Sequence, residues 1–495
     1  MKKLRIISLF GLVALLLMAA LPVYADPIPG EGNTDVVVAN TNQNAGAPAA
    51  NVVARYYNNS GTLETERPRN VNPRGSYAFL AGDANLGDGW NGAMIIQSDN
   101  ELAATAEITW SNGGSADGTT AGAYLGYDEG ATEMYLPFVV RASFQFTRIS
   151  VQNTENSSTS YNVKYINRDG NVDFTISDTL QARGSTTYDV HMPGGKVPDL
   201  STTGYWASNG FWGGAIKITT TGGKKIAAVA TNHWNHWGLA YNGASSGSVK
   251  NYIPSSERRY DAVQGWRGFS VAIVQCAESS SSCDVKLDYV NSQTQNVDLT
   301  VSKTINAGAA LGSNTKGGGD FDPNLYATHL GDTWAGSVIV STTNNKKVSV
   351  ISYSIRPGTL IAGATSAANA GDAGAETFLP AVYQKNTDGV SCPDDPNNDW
   401  QQFSLIRIQN PTNTNATDVD ISYFNRNGTL ALQELNNTIN AEKSYNRNTR
   451  NHCAQIDLGG TWEGSVYISS NVDLVAVSET LWGGTKMNSY NGFSK

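Results

Sequence analysis

The stretch NHWNHWG, Asn232–Gly238, carries the residue types best suited to chemistry in this chain. It holds His233 and His236, two of the five histidines, three residues apart and each followed by a tryptophan. Imidazole nitrogen is a common ligand of transition metals. Side chains three apart on a strand point to opposite faces, so a shared metal would require a turn at Asn235, and no third ligand lies nearby in sequence. Packing at the end of a strand, with partly exposed histidines, is therefore favoured over a metal site.

Aromatic side chains near this stretch offer a different chemistry. Exposed indole rings can stack on the C–H faces of sugars, while Asn and Asp bind the hydroxyl groups. The candidate platform residues are Trp206, Trp234, Trp237, Tyr241, Trp266 and Trp400. Tryptophans in loops can equally form contacts between domains, and the two interpretations stay open.

Calcium is the ion that the acidic segments favour. GGGDFDPN places Asp320, Asp322 and Asn324 at alternating positions, as at the start of a calcium-binding loop. The segment departs from the EF-hand pattern at Leu325, where glycine is required, and no glutamate follows at the right distance. The alternative is a solvated acidic loop. A second acidic loop, CPDDPNND, holds Asp394, Asp395 and Asp399.

Four cysteines are consistent with an oxidising compartment. Cys276 and Cys283 bracket a six-residue loop between two strand-like segments, and their pairing would staple a hairpin. Cys392 and Cys453 would then form the second pair. Three pairings are formally possible, and locality favours this one. No C-x-x-C spacing occurs, which disfavours metal binding by the cysteines.

The chain contains four copies of one unit. A Trp-x-Gly-[Ala/Ser] strand begins at Trp90, Trp212, Trp334 and Trp462, at intervals of 122, 122 and 128 residues. A Tyr-x-Asn turn motif precedes each, at Tyr56, Tyr165, Tyr289 and Tyr423. A downstream strand follows each, reading LAATAEITW, IAAVATNHW, VSVISYSIR and LVAVSETLW. The constant order of the three elements identifies a tandem repeat.

Alternation within these strands predicts the fold. In WGGAIKITT, Trp212, Ile216 and Ile218 share one face while Lys217 and Thr219 share the other, as in a sheet with one buried face. We expect the motif tryptophans to pack in the core, and the glycine after each to mark a bulge or a close backbone approach. No segment shows a convincing helical period. The sequence predicts an all-β protein of four antiparallel β-sandwiches.

The predicted division is residues 1–25, 26–132, 133–250, 251–375 and 376–495. Near the start of the last three units, YLP, YIP and FLP place Pro137, Pro254 and Pro380 where they would stiffen the junctions. We therefore expect a semi-rigid row of four sandwiches on the order of 150 Å long, if each is roughly 40 Å.

Residues 1–25 resemble a secretory signal. Lys2, Lys3 and Arg5 precede an apolar segment, and Val23 and Ala25 suit a cleavage site. The mature chain is then expected to be exported, without membrane insertion. Removing three positive charges changes the net charge from −9 to about −12. Nucleic acid is disfavoured as a partner, because phosphate binding needs clustered Lys and Arg.

H-E-x-x-H is absent from the sequence, and GASSG at residues 243–247 matches G-x-S-x-G without the helical segment that a nucleophile elbow requires. Four similar units leave no segment for a separate catalytic domain, so no enzyme is expected, and a secreted hydrolase is the least favoured interpretation. The Trp-x-Gly strands, the Tyr-x-Asn turns and YNG at Tyr241 and Tyr490 resemble those of bacterial secreted proteins built of tandem Ig-like β-sandwich repeats. The resemblance covers residues 33–495 and carries over no binding residue.

That resemblance implies a secreted or extracellular cell-surface location. The first hypothesis is a structural or adhesive protein of the cell surface or extracellular matrix, with self-association or a surface protein as partner. The alternative is a carbohydrate-binding protein that recognises a cell-surface glycan through aromatic loops peculiar to single copies. No cofactor is expected other than calcium.

Overall fold

The computed structural model describes residues 32–111, 119–142, 145–190, 197, 212–234, 237–357, 361–369, 371–386, 400–450, 456–483 and 486–495. These residues are almost all in antiparallel strands, which confirms the predicted all-β fold. No helix among them is long and apolar enough to cross a membrane. The signal segment, Trp206, His236, Cys392, Cys453 and the acidic loop with Asp394, Asp395 and Asp399 lie outside the described residues.

We number the repeats 1 to 4 by the predicted division. Repeat 1 contains β1 Gly32–Asn40, β2 Ala50–Asn58, β3 Leu63–Val71, β4 Ser76–Phe79, the 3-10 helix Ala81–Ala84, β5 Gly92–Ser98, β6 Leu102–Ser111 and β7 Thr119–Leu125. Repeat 2 contains β8 Glu133–Ala142, β9 Gln145–Asn153, β10 Thr159–Asn167, β11 Val172–Leu180, β12 Ser185–Asp189, β13 Trp212–Thr220, β14 Ile226–Trp234 and β15 Trp237–Asn242.

Repeat 3 contains β16 Lys250–Asp261, β17 Gly265–Cys276, β18 Cys283–Asn291, β19 Val297–Ile305, β20 Ala310–Asn314, β21 Gly318–Gly319, α1 Pro323–Leu330, β22 Thr333–Thr342, β23 Val348–Arg356, β24 Ile361–Ser366 and β25 Ala368–Asn369. Repeat 4 contains β26 Gly374–Asn386, β27 Trp400–Gln409, β28 Ala416–Asn425, β29 Leu430–Ile439, β30 Ser444–Asn448, β31 Thr461–Trp482, β32 Lys486–Asn491 and β33 Phe493–Ser494. The short helix α1 is a correction to the prediction, because eight residues are too few to show a helical period.

Repeat 2 illustrates the common topology. One layer has the order β11-β10-β13-β8 and the other has β9-β14-β15, with β12 on β9. The Tyr-x-Asn strand β10 pairs with the Trp-x-Gly strand β13, and this pairing brings the two repeated motifs together. Strand β8 pairs with β13 along most of its length and with β9 at its end, so it passes from one layer to the other.

The prolines of YLP, YIP and FLP lie inside these first strands and do not stiffen junctions, which corrects the prediction. In β8, Leu136 pairs with Ile216 and Val139 pairs with Gly214, so Pro137 and its neighbour form a bulge. The same shift occurs around Pro254 and Pro380. Proline cannot donate a ladder hydrogen bond, so it is tolerated where the pairing is interrupted.

The four repeats form a closed cycle, so the predicted row is wrong. Each repeat contacts the next, and repeat 4 contacts repeat 1. One hydrogen bond from each interface is Leu125 N to Asn242 Oδ1 at 2.9 Å, Asn306 Nδ2 to Asp169 O at 2.9 Å, Tyr252 Oη to Pro411 O at 2.8 Å and Ser76 N to Arg426 O at 3.0 Å. The strands that follow the downstream motif strand in each repeat pack around the centre of this cycle, β7 on β15, β15 on β24, β24 on β32 and β32 on β7.

The cycle closes because the sheets are apolar on both faces near the centre. Side chains of repeat 3 such as Ile351, Ile355 and Val271 belong to the same buried cluster as Phe146 and Tyr241 of repeat 2. The outer face of repeat 3 therefore covers the core of repeat 2, and Val37 and Ala123 of repeat 1 belong in the same way to the core cluster of repeat 4. A row would leave these faces in water, at a cost of about 25 cal/mol per Å² of apolar surface.

Candidate functional site

The Trp-x-Gly and Tyr-x-Asn motifs form one cluster in each repeat. The tryptophan and tyrosine rings meet edge-to-face, as in other favourable aromatic pairs. Their centroid distances are 6.1 Å for Tyr56–Trp90, 6.0 Å for Tyr165–Trp212, 5.8 Å for Tyr289–Trp334 and 6.2 Å for Tyr423–Trp462. The indole N–H groups donate to Glu64, Asp173, Asp298 and Asn425 in repeats 1 to 4. The motif tryptophans are therefore structural.

The motif glycine allows this cluster to close. A Cβ at Gly214 would lie 2.2 Å from the carbonyl oxygen of Ile166, the middle residue of Tyr-x-Asn. At Gly336 and Gly464 the corresponding distance to the middle residue is 2.0 Å. The expected close backbone approach is present, since any side chain would separate the two strands.

The turn after each Tyr-x-Asn strand docks on the next repeat, and we call this contact the clasp; in repeat 3 it is made by Gln295, which accepts from Asn440 Nδ2 of repeat 4. Asn167 Oδ1 accepts from the backbone N–H of Asp169 and Asn171, while Gly170 has a φ of +90°. A Cβ on Gly170 would lie 2.7 Å from Ala307 O of repeat 3. Gly61 approaches Ala182 O of repeat 2 in the same way, and Gly428 approaches Pro73 O of repeat 1.

His233 lies in the interface between repeats 1 and 2. Its ring is fully buried between Phe146 of repeat 2 and Trp110 of repeat 1. The centroid of each of these two rings lies 5.0 Å from that of the His233 ring. Nε2 lies 2.9 Å from Thr231 Oγ1, and Nδ1 has no partner among the described residues. Burial, assisted by Arg148, lowers the pKa of His233 from 6.5 to about 3. The ring is a neutral packing element, as predicted, but its complete burial corrects the expectation of a partly exposed histidine, because Trp110 of repeat 1 covers it.

Trp234 and Trp237 join the interface between repeats 2 and 3. Both are half-buried, and their ring centroids are 5.8 Å apart. Trp234 also meets Tyr353 of repeat 3 edge-to-face at 5.8 Å, and Tyr353 stacks on Phe138 at 5.1 Å. These contacts support the domain-contact interpretation of the two tryptophans.

Tyr241 is buried, which corrects its assignment to a ligand platform. Its hydroxyl donates to Phe138 O at 2.6 Å and accepts from Phe138 N at 3.2 Å, so it holds the bulge after Pro137. Tyr490 holds Ala381 in repeat 4 in the same way. We call this arrangement the tyrosine clamp. The YNG motif thus belongs to the last strand, where its tyrosine secures the proline bulge.

The other two candidate tryptophans in the described ranges differ in exposure. Trp400 is buried with Phe403 and Ile361 in a contact between repeats 3 and 4, which corrects its assignment to a ligand platform. Trp266 is half-buried beside Tyr260, at a hairpin that exposes Val263. A sugar platform stays a prediction for Trp266 and for Trp206, which lies outside the described residues.

The predicted calcium residues have protein partners. Asp320 forms an ion pair with Arg168 of repeat 2 and accepts from Gly312 N at 2.6 Å. Asp322 caps α1 by accepting from Asn324 N at 3.0 Å. Within the described ranges, no three acidic, histidine or cysteine side chains are grouped for a metal ion. These contacts favour structural roles for Asp320 and Asp322.

The local cysteine pair is present, since Cys276 and Cys283 are joined in a disulfide. The disulfide links the end of β17 to the start of β18, and these two strands do not pair with each other. A second bond between Cys392 and Cys453 stays a prediction.

A buried carboxylate that the sequence analysis did not identify lies between repeats 4 and 1. Glu107 accepts from Tyr383 Oη at 2.7 Å and from Asn488 Nδ2 at 3.0 Å. Burial raises its pKa above 4.5, against the lowering effect of these two bonds. Asn488 Oδ1 is buried without a partner among the described residues. The sequence signal for this site was Glu107 itself, a charged residue among the small apolar residues of LAATAEITW.

Glu107→Gln is expected to stabilise the protein at neutral pH by roughly 1 kcal/mol, the net value of one hydrogen bond. After a flip of the Asn488 amide, the new amide can donate to Asn488 Oδ1 and still accept from Tyr383. Because the folded-state pKa of Glu107 is raised, its stabilising contribution is complete below pH 4.5 and is lost as the pH rises through the folded value. Thermal unfolding of both proteins from pH 4 to 8 should show a difference that grows with pH. A constant difference would contradict this role for Glu107.

Comparisons with known proteins identify no family. No protein-family model matches the chain, and no curated protein matches it. The major pilin from Streptococcus pyogenes is 8% identical over 93% of this chain and 98% of that chain, with a TM-score of 0.13. The infectious bursal disease virus Gx strain structure is 7% identical over 97% of this chain and 86% of that chain, with a TM-score of 0.10. Scores this low support no functional argument.

Proposed function

We propose that the chain is an exported structural protein of the cell surface, and that its closed body of four repeats is a rigid block for lateral assembly. The observation that carries the proposal is the closed cycle itself. Trp234 and Trp400 contact other repeats, Trp237 packs on the buried cluster that repeats 2 and 3 share, and His233 fills a further contact between repeats. The binding chemistry suggested by the sequence is thus largely used for internal cohesion.

Lateral assembly is supported by an apolar position repeated around the cycle. The first residue of the strand after each clasp turn is an aliphatic side chain that is 44–50% exposed. These residues are Leu63, Val172, Val297 and Leu430. Each pairs with the middle residue of the Tyr-x-Asn motif. One exposed aliphatic residue is ordinary, but four at equivalent positions offer a symmetric contact to another copy.

No catalytic role is proposed, because four similar units account for the described chain. Self-association is preferred to a nucleic-acid partner because the chain is acidic. Calcium is not required by the proposal, since Asp320 and Asp322 already have protein partners.

The test is light scattering with negative-stain imaging of purified residues 26–495, in calcium and then in EDTA. Sheets, filaments or large oligomers in both conditions are the expected result. The variant L63T/V172T/V297T/L430T should need at least about tenfold more protein to assemble, which corresponds to 1.4 kcal/mol. The control L80T/L435T removes two exposed leucines that are not repeated, and should assemble normally. A protein that stays monomeric at all concentrations would overturn the proposal.

A further inference from the structure

Repeat 1 differs from the other three repeats in the neighbours of its Trp-x-Gly strand. Strands β13, β22 and β31 each lie between a Tyr-x-Asn strand and a proline-containing strand, β8, β16 or β26. Among the described residues, β5 pairs only with β2. One edge of β5 therefore has no partner strand in the described part of the chain.

The side chains of β5 show the consequence. In repeat 2, Trp212, Ile216 and Ile218 are fully buried, in part by Met134, Leu136 and Val139 of β8. The equivalent residues of repeat 1 are Trp90, Met94 and Ile96, all only half-buried. An open strand edge beside apolar side chains is a template for another strand.

The second observation is that repeat 1 has the tyrosine of a clamp but, among the described residues, no proline-containing strand for it to hold. In repeats 2 and 4, the hydroxyls of Tyr241 and Tyr490 hold the residue after the strand proline. The equivalent residue in repeat 1 is Tyr124, which pairs with Ala106 as Tyr241 pairs with Ala230. Tyr124 is half-buried, and within the described ranges burial alone acts on its hydroxyl, with no hydrogen-bond partner.

We propose that β5 and Tyr124 form an acceptor site for an extended segment of a partner polypeptide, which completes repeat 1 in trans. The proline-containing strands β8, β16 and β26 of the other repeats, which we call the sister strands, define the chemistry of this segment. The segment has about ten residues with apolar side chains at alternate positions, and a proline follows the apolar residue that faces Met94. The residue after the proline offers its N–H and C=O to Tyr124, as Phe138 does to Tyr241.

We assign the occupant of this site to a partner polypeptide and not to the chain's own N-terminal segment. This choice rests on the export and signal cleavage that the proposed function includes. Cleavage after Ala25 leaves Asp26–Glu31 before β1, and these six residues include Pro27 and Pro29. A sister strand such as β8 has ten residues. Leu21-Pro22-Val23-Tyr24 would match the sister pattern, but the proposed cleavage removes it.

The test is titration of purified residues 26–495 with a fluorescent peptide of the β8 sequence, Glu133–Ala142. One peptide should bind per chain. The control peptide M134D/L136D/V139D should not bind, because it cannot bury its alternate side chains. Tyr124→Phe should weaken binding by about tenfold while leaving thermal stability unchanged, because only the two clamp hydrogen bonds are lost. Tyr241→Phe should lower stability without changing peptide affinity.

Equal affinity for both peptides, or no effect of Tyr124→Phe on affinity, would overturn the acceptor site. Mass spectrometry of the exported protein locates its N-terminus and completes the test. An N-terminus at Asp26 supports a strand in trans, whereas one at or before Leu21 would overturn it in favour of the chain's own segment. Peptide binding is measured on single chains, so a failure of lateral assembly would not be mistaken for a failure of this site.

Discussion

Replacing Gly428 by alanine is expected to lower the free energy of unfolding by about 3 kcal/mol, the sum of a left-handed backbone penalty and a steric clash. Gly428 has a φ of +87°, and a Cβ there would lie 2.2 Å from Pro73 O. This clasp joins repeat 4 to repeat 1, the one pair of neighbouring repeats that are not consecutive in the chain. Denaturant unfolding at neutral pH measures the change.

Gly222→Ala is the matched control. Gly222 has a φ of +74°, and a Cβ there would meet no atom within 4 Å, so this variant carries only the backbone penalty of about 1–2 kcal/mol. Gly61→Ala, with a clash distance of 2.0 Å, should be at least as destabilising as Gly428→Ala. Equal losses for Gly222→Ala and Gly428→Ala would show that the clasp does not hold the cycle closed.

Small-angle scattering tests the same closure by shape. A compact body of about 470 residues has a radius of gyration near 23 Å, and an extended row would be far larger. The unmodified chain should give the compact value, and Gly428→Ala should increase it under mild denaturation before the repeats unfold.

Acid is expected to weaken the interface between repeats 1 and 2 through His233. The pKa of His233 is about 3 in the folded protein because of burial, against 6.5 for the free side chain. Its contribution to stability is therefore complete above pH 6.5 and is lost as the pH falls toward 3. The slope is about 1.4 kcal/mol per pH unit, so roughly 3 kcal/mol is lost at pH 4.5.

His233→Phe should remove this loss, because phenylalanine keeps an aromatic ring between Phe146 and Trp110 without a titrating group. The informative quantity is the difference in unfolding free energy between His233→Phe and the unmodified protein from pH 4.5 to 7.5. Phe146→Leu perturbs the same packing and should lower stability equally at all these pH values. Parallel profiles for His233→Phe and the unmodified protein would contradict the assignment.

The repeat, the all-β fold and the local disulfide could be predicted from the amino-acid sequence. These features are encoded at short range, because alternation within a strand reports burial of one face and Cys276–Cys283 closes a short loop. The cluster of Trp212, Gly214 and Tyr165 was partly predictable for the same reason, since motifs repeated four times must serve the common fold.

The closure of the four repeats on one another could not be predicted from the sequence and is seen only in the folded chain. The downstream strands contained the signal, because IAAVATNHW and VSVISYSIR lack strict polar alternation, as expected of strands covered on both faces. Alternation cannot say what covers the second face, so the partner of His233, the burial of Tyr241 and the position of Glu107 were undetermined. The contacts of His233 with Trp110 and of Glu107 with Tyr383 join residues more than a hundred positions apart, and they exist only once the apolar outer faces have packed together; Tyr241 is bonded to Phe138, which is equally distant in sequence but lies in the same repeat.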